Sequence, residues 1–183
     1  MRRRLATIAA VVVLLAVGRP ALASDPPPTL GIGLGYVRAK TVDPTIVFAG
    51  DFRFFLARNV ALAPEVGYWK KSSRAVGIAA SVKDLQFGLN VLGVVRPYRT
   101  VELFAGAGGG VHQVGGDLAV GSIQASETIT KGGVDVTAGI VFEVADDVGF
   151  FLAGRYDWVL GLTGGSARRL DQYKVYGGFR LRF

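Results

Sequence analysis

The sequence predicts an all-β fold, an eight-stranded antiparallel transmembrane β-barrel with up-and-down topology. Three observations support this prediction. The end of the chain alternates between apolar and charged residues, the same alternation recurs along the chain, and long and short connections follow each other in a regular order.

The C-terminal segment, residues 173–183, gives the clearest pattern. Apolar or aromatic side chains stand at 173, 175, 179, 181 and 183, and the charges are Lys174, Arg180 and Arg182. A strand with one apolar face and one charged face, ending on Phe183, is typical of the closing strand of a membrane barrel.

The N-terminal segment, residues 1–23, is interpreted as a cleaved signal peptide. A basic start is followed by the apolar run 5–17, and Ala21 and Ala23 form a small-x-small cleavage site. The run is shorter than the roughly 20 residues that a membrane helix needs. Its arginines leave twin-arginine export open as an alternative to the general secretory route. Residues 24–29 are then a Pro-rich linker, and residues 30–183 form the barrel.

The charge of the chain gives little support for nucleic-acid binding. The formal net charge is +7, but Arg2, Arg3, Arg4 and Arg19 belong to the predicted signal peptide. The remaining basic residues form no stripe, so we expect no nucleic-acid partner. The chain has no Cys, which excludes a lipoprotein attachment residue and a disulfide framework.

Period-2 alternation favours strands over helices after residue 23. We predict strands at about 30–37, 46–55, 62–69, 84–95, 101–112, 134–144, 148–160 and 173–183. In each strand one parity is free of charge. The other parity carries Asp84, Asp135 and Lys174 together with the residues that we expect to form a paired charge network in the barrel lumen: Asp51, Arg53, Glu65, Glu102, Glu143, Arg155, Asp157, Arg180 and Arg182.

The size of the side chains indicates which face of the barrel contacts lipid. The interior of an eight-stranded barrel is only wide enough to be filled by side chains. The uncharged parity carries too many aromatic residues for that space, whereas the charged parity is rich in Gly. We therefore place the uncharged face against lipid; a secreted lipocalin-like barrel would reverse the two faces.

The connections alternate in length as a barrel in the outer membrane requires. Short turns are predicted at 57–59, 96–100 and 145–147, and long external loops at about 38–45, 70–83, 113–133 and 161–172. Aromatic residues are expected to form belts at both membrane interfaces. The loop-end belt is Tyr36, Tyr68, Trp69, Trp158 and Tyr173, and the turn-end belt is Phe54, Phe142, Phe150 and Phe183.

Five segments, 31–36, 65–69, 101–111, 151–157 and 178–183, resemble the small outer-membrane β-barrel proteins typified by the transmembrane domain of outer-membrane protein A. The resemblance implies an eight-stranded barrel in the outer membrane of a Gram-negative-type cell. It also implies that the partners are outer-membrane lipids and the barrel-assembly machinery, which would read Phe183 as its signal. We expect a monomer.

Catalytic, cofactor and metal sites are not expected. The sole histidine, His112, has no neighbouring serine in sequence, and Ser122 and Ser126 lie in a predicted loop. A serine nucleophile needs an adjacent base, so a satisfied polar group is the better interpretation of His112. The pair Asp146 and Asp147 fits turn geometry better than a calcium site.

The inward charges favour a structural role. Charges in a narrow lumen must be paired, so we expect a network that fills the barrel of a structural, surface-exposed outer-membrane protein. Arg155 is expected to meet Glu65 and Asp51 at mid-depth. Two alternatives stay open: a narrow channel for ions or small hydrophilic solutes, and a lipid-modifying hydrolase that uses His112.

Overall fold

The computed structural model describes residues 26–40, 42–75, 78–120, 123–160 and 171–183. The predicted signal peptide and its cleavage residues lie outside these ranges. The strands are β1 (Thr29–Ala39), β2 (Thr45–Ala57), β3 (Val60–Ala75), β4 (Ile78–Tyr98), β5 (Val101–Val120), β6 (Ile123–Ala145), β7 (Val148–Val159) and β8 (Gln172–Arg182). In the described ranges no helix has the length and apolar character needed to cross a membrane.

The eight strands form one closed antiparallel barrel. Each strand pairs with the next along the chain, and β8 pairs with β1, with Gly33 opposite Gly178. Closure pairs the backbone of the barrel wall on both sides of each strand, which is what a β-structure needs in order to cross lipid. The predicted fold class and topology are confirmed.

The two faces of the barrel wall differ as the parity of the sequence predicts. Large apolar residues such as Leu34, Leu89 and Leu152 are about half exposed on the outside. Charged residues such as Arg53 and Asp157 are buried inside. The outer face is therefore a lipid-facing band, since exposed apolar groups on this scale are not stable in water.

Aromatic side chains gather at two levels of the outer face. At the turn end, Phe52 contacts Phe54 and Phe183, and Phe150 packs against Phe179. At the opposite end, Tyr156 contacts Trp158 and Tyr173. These clusters suit the two membrane interfaces.

Trp69 does not belong to the outer belt, so its predicted place there is wrong. It lies on the inward parity of β3, is 3% exposed, and donates from Nε1 to Gln172 Oε1 at 3.2 Å. An indole in a lumen needs such a partner for its N–H group.

The short turns are close to their predicted positions. They comprise residues 58–59, 99–100 and 146–147, and a register shift lies beside each of them. Short turns at one end are typical of the periplasmic side of such barrels, and we call this end the turn end.

Two of the predicted external loops, 70–83 and 113–133, are wrong. The strands continue into them from both sides, so that β3, β4, β5 and β6 have 16, 21, 20 and 23 residues, while β1, β2, β7 and β8 have 11 to 13. A tilted strand crosses the bilayer with about 9–11 residues. Predicted loop 161–172 lies almost wholly outside the described residues.

The continued part of β3–β6 forms a four-stranded sheet beyond the barrel, which we call the extension: residues 70–75, 78–83, 115–120 and 123–128. Lys70, Lys83, Gly115 and Thr128 are aligned in its first row. Its ladder continues that of the barrel wall without a register shift, so each strand keeps its inward and outward parity.

The polarity of the two faces is exchanged in the extension. The outward face, apolar below, is mainly polar here: Lys70, Ser72, Arg74, Ala79, Ser81, Lys83, Gly115, Asp117, Ala119, Gln124, Ser126 and Thr128. The inward face, charged below, is mainly apolar: Lys71, Ser73, Ile78, Ala80, Val82, Gly116, Leu118, Val120, Ile123, Ala125 and Glu127. The outward face thus meets water or lipid headgroups beyond the Tyr68–Leu85 row.

Candidate functional site: the charged lumen

The lumen of the barrel collects the nine charged residues singled out in the sequence. Each of them lies on the inward parity of its strand and takes part in at least one ion pair. The pairs are arranged in layers from the turn end upward, and each layer joins strands from opposite sides of the barrel.

The turn-end layer is built on Asp51 of β2 and Arg180 of β8. The guanidinium of Arg180 donates two hydrogen bonds to the Asp51 carboxylate, at 2.8 and 2.9 Å, and a third to Thr29 Oγ1 at 3.0 Å. Arg53 donates to the same carboxylate from Nε at 3.2 Å and to Glu102 Oε1 from Nη1 at 3.0 Å. Bidentate arginine–carboxylate contacts fix the geometry as well as the charge.

A glycine of β1 makes room for this layer. A methyl group on Gly31 would lie 2.5 Å from Asp51 Oδ1 and 2.7 Å from Arg180 Nη2. Neither atom can withdraw without breaking the bidentate contact. Gly31 is therefore required by the close approach of the ion pair to the barrel wall.

Two more pairs complete the turn end. Arg96 Nη2 lies 2.6 Å from Glu102 Oε2, and Arg182 pairs with Glu143. Glu102 therefore bridges Arg53 and Arg96, and only the latter is partly exposed. These side chains lie at the turn-end mouth of the lumen.

Aromatic rings inside the barrel support the turn-end arginines. The guanidinium carbon of Arg53 lies 3.9 Å from the centroid of the Phe104 ring, and that of Arg180 lies 5.2 Å from the Phe151 ring. Both rings are buried. A desolvated guanidinium over an aromatic face gains cation–π attraction. The lumen thus holds bulky rings as well as glycines. Phe104 and Phe151 share the parity of Glu102 and Arg155 in the sequence, so the expectation of a Gly-rich lumen overlooked them.

The middle layer is centred on Arg155 of β7. Its guanidinium pairs with Glu65 on β3, with Asp135 on β6 at 2.9 Å and with Asp157 at 2.6 Å. Lys174 of β8 lies 2.9 Å from the other oxygen of Asp157. Two cations are therefore held by three carboxylates across the whole width of the barrel.

The predicted contact between Arg155 and Asp51 is wrong, while the contact with Glu65 is present. Asp51 is paired instead with Arg180 and Arg53, nearer the turn end. Asp51 and Glu65 are directly opposite each other in the β2–β3 ladder. Their side chains diverge because each carboxylate reaches for the nearest buried guanidinium.

The upper layer is a hydrogen-bonded chain that crosses the lumen. Gln172 accepts from Trp69 and donates from Nε2 to Asp84 Oδ2 at 2.8 Å. The same Asp84 oxygen lies 2.9 Å from His112 Nδ1. His112 is 1% exposed, so its ring is a packed lumen group satisfied by Asp84.

A lipid-modifying dyad of His112 and Ser126 is not assembled. His112 faces the lumen, whereas Ser126 lies on the outward face of β6 and donates to Asp117 Oδ1 at 2.7 Å. The wall of the barrel therefore separates the base from the hydroxyl, and a serine needs a base within hydrogen-bond reach. Ser122 lies outside the described residues.

Several lumen residues were missed when the network was predicted from the sequence. They are Trp69, Asp84, Arg96, Asp135, Gln172 and Lys174, whereas His112 was predicted to be a satisfied polar group. Asp84, Asp135 and Lys174 were on the charged parity, so the signal was available. Their partners depend on strand register around the barrel, which the parity of a single strand does not contain.

The space left between the layers is small. A cavity of about 10 Å³ lies among Asp51, Arg53, Asn90, Phe104 and Tyr176, and a second of about 10 Å³ adjoins Arg155 and Lys174. A volume of this size holds about one water molecule, so the side chains at these two levels leave little room for water.

Of the comparisons with known proteins, only the one with solved structures finds similar proteins. No family model matches the chain, and no curated protein does. The structure is similar to that of Neisserial surface protein A, with a TM-score of 0.64 and 14% identity over 85% of this chain and 97% of the other.

Two further solved structures give the same result. A major outer membrane protein from Thermus thermophilus has a TM-score of 0.58 and 10% identity over 85% of this chain and 99% of the other. Ail, the attachment invasion locus protein of Yersinia pestis, has a TM-score of 0.52 and 13% identity, with coverage of 86% and 99%. The chain is thus an eight-stranded transmembrane β-barrel with the fold of the small outer-membrane barrel proteins.

Proposed function

We propose that this protein is a structural, surface-exposed barrel of the outer membrane with a closed lumen, and that it does not act as a pore. The observation that carries the proposal is the layered network of ion pairs and hydrogen bonds, from the Arg96–Glu102 ion pair at the turn end to the His112–Asp84 hydrogen bond near the opposite end. Every strand of the barrel contributes a side chain to these layers.

The energetics of the network favour closure. A buried ion pair compensates the desolvation of its two charges only while the pair is intact, and loss of one partner typically costs about 3–5 kcal/mol. An ion that crossed the lumen would have to displace Arg155, which is surrounded by Glu65, Asp135 and Asp157. The barrier to such a passage is therefore high.

The surface-exposed part of the proposal rests on the extension. Its four strands continue beyond the row in which the outward face loses its apolar character, so they project from the membrane at the end opposite the short turns. In barrels of this type that end faces the outside of the cell. The extension gives the protein a four-stranded sheet on that side.

Phe183 is proposed to act as the signal for the barrel-assembly machinery. Its ring is exposed on the outer face and stacks against Phe52 with 6.5 Å between centroids. Phe183→Asp is expected to reduce the yield in the outer-membrane fraction, because it puts a charge at the interface. An unchanged yield would contradict this role.

Conductance in planar bilayers tests closure. We expect the wild-type protein to give no discrete current steps, and Arg155→Ala to give measurable ion flow because the middle layer loses its central cation. Arg74→Ala, on the exposed outward face of the extension, is the matched control and should behave as wild type. Folding of each variant is checked by its heat-dependent mobility in gels.

The competing function, a narrow channel, has a different signature. It requires discrete steps from the wild-type barrel and an ion selectivity that changes with the lumen charges. Wild-type steps that persist unchanged in Arg155→Ala would mean that water already fills the lumen. That result would replace the closed barrel with the channel.

A further inference from the structure

The outward face of the extension begins with two lysines that stand side by side. Lys70 of β3 and Lys83 of β4 are direct partners in the antiparallel ladder and have the same parity. Like charges directly opposite each other on neighbouring strands destabilise a sheet. An arrangement of this kind is favourable when an anion binds between the two ammonium groups.

Gly115 leaves room for the side chain of Lys83 to lie against the sheet. A methyl group on Gly115 would lie 2.6 Å from Lys83 Cε, 3.1 Å from its Cγ and 3.3 Å from Thr128 Oγ1. The aliphatic part of the Lys83 side chain therefore lies over β5 at Gly115, where the absence of a Cβ atom leaves space for it. Thr128 is the ladder partner of Gly115 on β6 and has the same outward parity, so its hydroxyl adds a neutral donor to the row of the cations.

The nearby carboxylate of Asp117 offsets only part of the charge of these two lysines. Asp117 accepts hydrogen bonds from Ser81 at 2.9 Å and from Ser126 at 2.7 Å. Its distance to Lys83 Nζ is 3.7 Å, and both side chains are 39% exposed. Two hydroxyls thus use both oxygens of Asp117, and the outward face of the extension keeps an excess of positive charge from Lys70, Arg74 and Lys83.

The depth of the two lysines indicates the source of the anion. The row below them holds Tyr68 and Leu85 on the lipid-facing parity, and the row above holds Ser72 and Ser81. Lys70 and Lys83 are therefore at the level where acyl chains give way to headgroups. Their long stems can follow the apolar surface while the ammonium groups stay in the polar layer.

We propose that Lys70 and Lys83, with Thr128, form a binding site for a phosphate group, and that the phosphate belongs to the headgroup of a lipid in the outer leaflet. The site anchors the long side of the barrel at the membrane surface. It is separate from the lumen network, because it lies on the opposite face of the same strands.

The test uses the refolded full chain in detergent micelles and native mass spectrometry. The probes are phosphatidic acid and diacylglycerol with the same acyl chains, which differ only in the phosphate. The variants are Lys70→Gln with Lys83→Gln, and Lys71→Gln as the control, because Lys71 is adjacent in sequence and faces inward. A third arm adds inorganic phosphate as a competitor.

We expect the wild type to retain phosphatidic acid in preference to diacylglycerol. The double variant should lose this preference by about fivefold for each lysine removed, which is the usual contribution of a cation at an anionic surface. Lys71→Gln should keep it. Weak competition by inorganic phosphate identifies the lipid as the source, and full competition at equal concentration identifies free phosphate instead.

Two results would overturn the site. One is equal retention of phosphatidic acid by the wild type and the double variant. The other is an equal loss in Lys71→Gln, which would mean that general positive charge attracts the lipid. Because Lys70 and Lys83 are exposed or half-exposed, the double variant is expected to fold, and its heat-dependent gel mobility verifies this.

Discussion

The barrel wall within the membrane and the extension above it share one hydrogen-bonded ladder but have opposite polarity. Within the membrane, Leu89 and Val136 face outward and Arg155 and Asp157 face inward. In the extension the outward residues are polar and the inward ones apolar. The backbone pattern therefore fixes which face a residue takes, and the surroundings of that face decide which residue type is stable there.

The two regions also handle charge differently. In the lumen, Arg180 and Asp51 form a buried bidentate pair. On the extension, the Lys83–Asp117 pair is longer and largely solvated. The buried pair is costly to break because a stranded charge has no water, whereas a solvated pair contributes little.

The largest expected effect comes from breaking the buried Arg180–Asp51 pair. Arg180→Ala removes the bidentate partner of Asp51, which keeps only the single contact from Arg53, and should lower the free energy of unfolding in liposomes by about 3–5 kcal/mol. Adding Asp51→Asn should restore part of the loss, because the incompletely paired carboxylate is removed. Urea titration measures both, and Asp117→Ala on the extension is the control, expected to unfold close to wild type. Equal stability of Arg180→Ala and wild type would mean that the lumen is solvated.

The second prediction uses one face of one strand at two depths. Val136 and Gln124 both lie on the outward parity of β6. Val136→Arg puts a charge into the lipid-facing band and should cost about 2–4 kcal/mol in liposomes. Gln124→Arg should stay within about 0.5 kcal/mol of wild type, as for most exposed substitutions. If both variants lose the same stability, the polarity of the outward face does not mark the membrane boundary.

The smallest effect concerns protonation in the extension. The hydroxyls of Ser126 and Ser81 donate to Asp117 and hold the pKa of its carboxyl below the ordinary 3.8. Because the folded pKa is depressed, these hydrogen bonds stabilise the extension at a pH above the unfolded pKa of Asp117. That stabilisation is lost as the pH falls through the folded value.

The Ser81→Ala and Ser126→Ala double variant should raise the pKa of Asp117 toward its ordinary value. An NMR titration of the Asp117 side chain measures this shift, and Ser73→Ala on the inward face is the control. An unchanged pKa in the double variant would mean that the hydroxyls do not hold the carboxylate.

The sequence was sufficient for the strand number, the closed topology and the sidedness of the wall, because these follow from period-2 alternation and turn spacing. It was insufficient for the extension. Polar and apolar residues still alternate in 70–83 and 113–133, but the polar groups face outward. Strands that are expected to have an apolar outward face are therefore not recognised there, and the segments are predicted as loops. The signal was present in Ile78, Ala80 and Val82, which have the strand period on the other parity.

The lumen was predictable in composition and not in detail. Parity identified Arg155 and Glu65 as inward residues, and they form a pair. It did not separate Asp51 from Glu65, which are adjacent in the ladder but bind different arginines. Partners across a lumen depend on register and on side-chain reach around the closed barrel, and these properties belong to all the strands together.

The exchange of polarity along β6 can be measured directly by spin labelling, because the native chain has no Cys. Single cysteines on the outward face would carry a nitroxide at Val136, Val134, Gly132, Thr130, Thr128 and Ser126. Collisions with oxygen should dominate at Val136 and Val134, and collisions with a water-soluble nickel chelate at Thr128 and Ser126. Labels that stay oxygen-dominated through Ser126 would show that the extension is embedded in lipid, which would contradict its place outside the membrane.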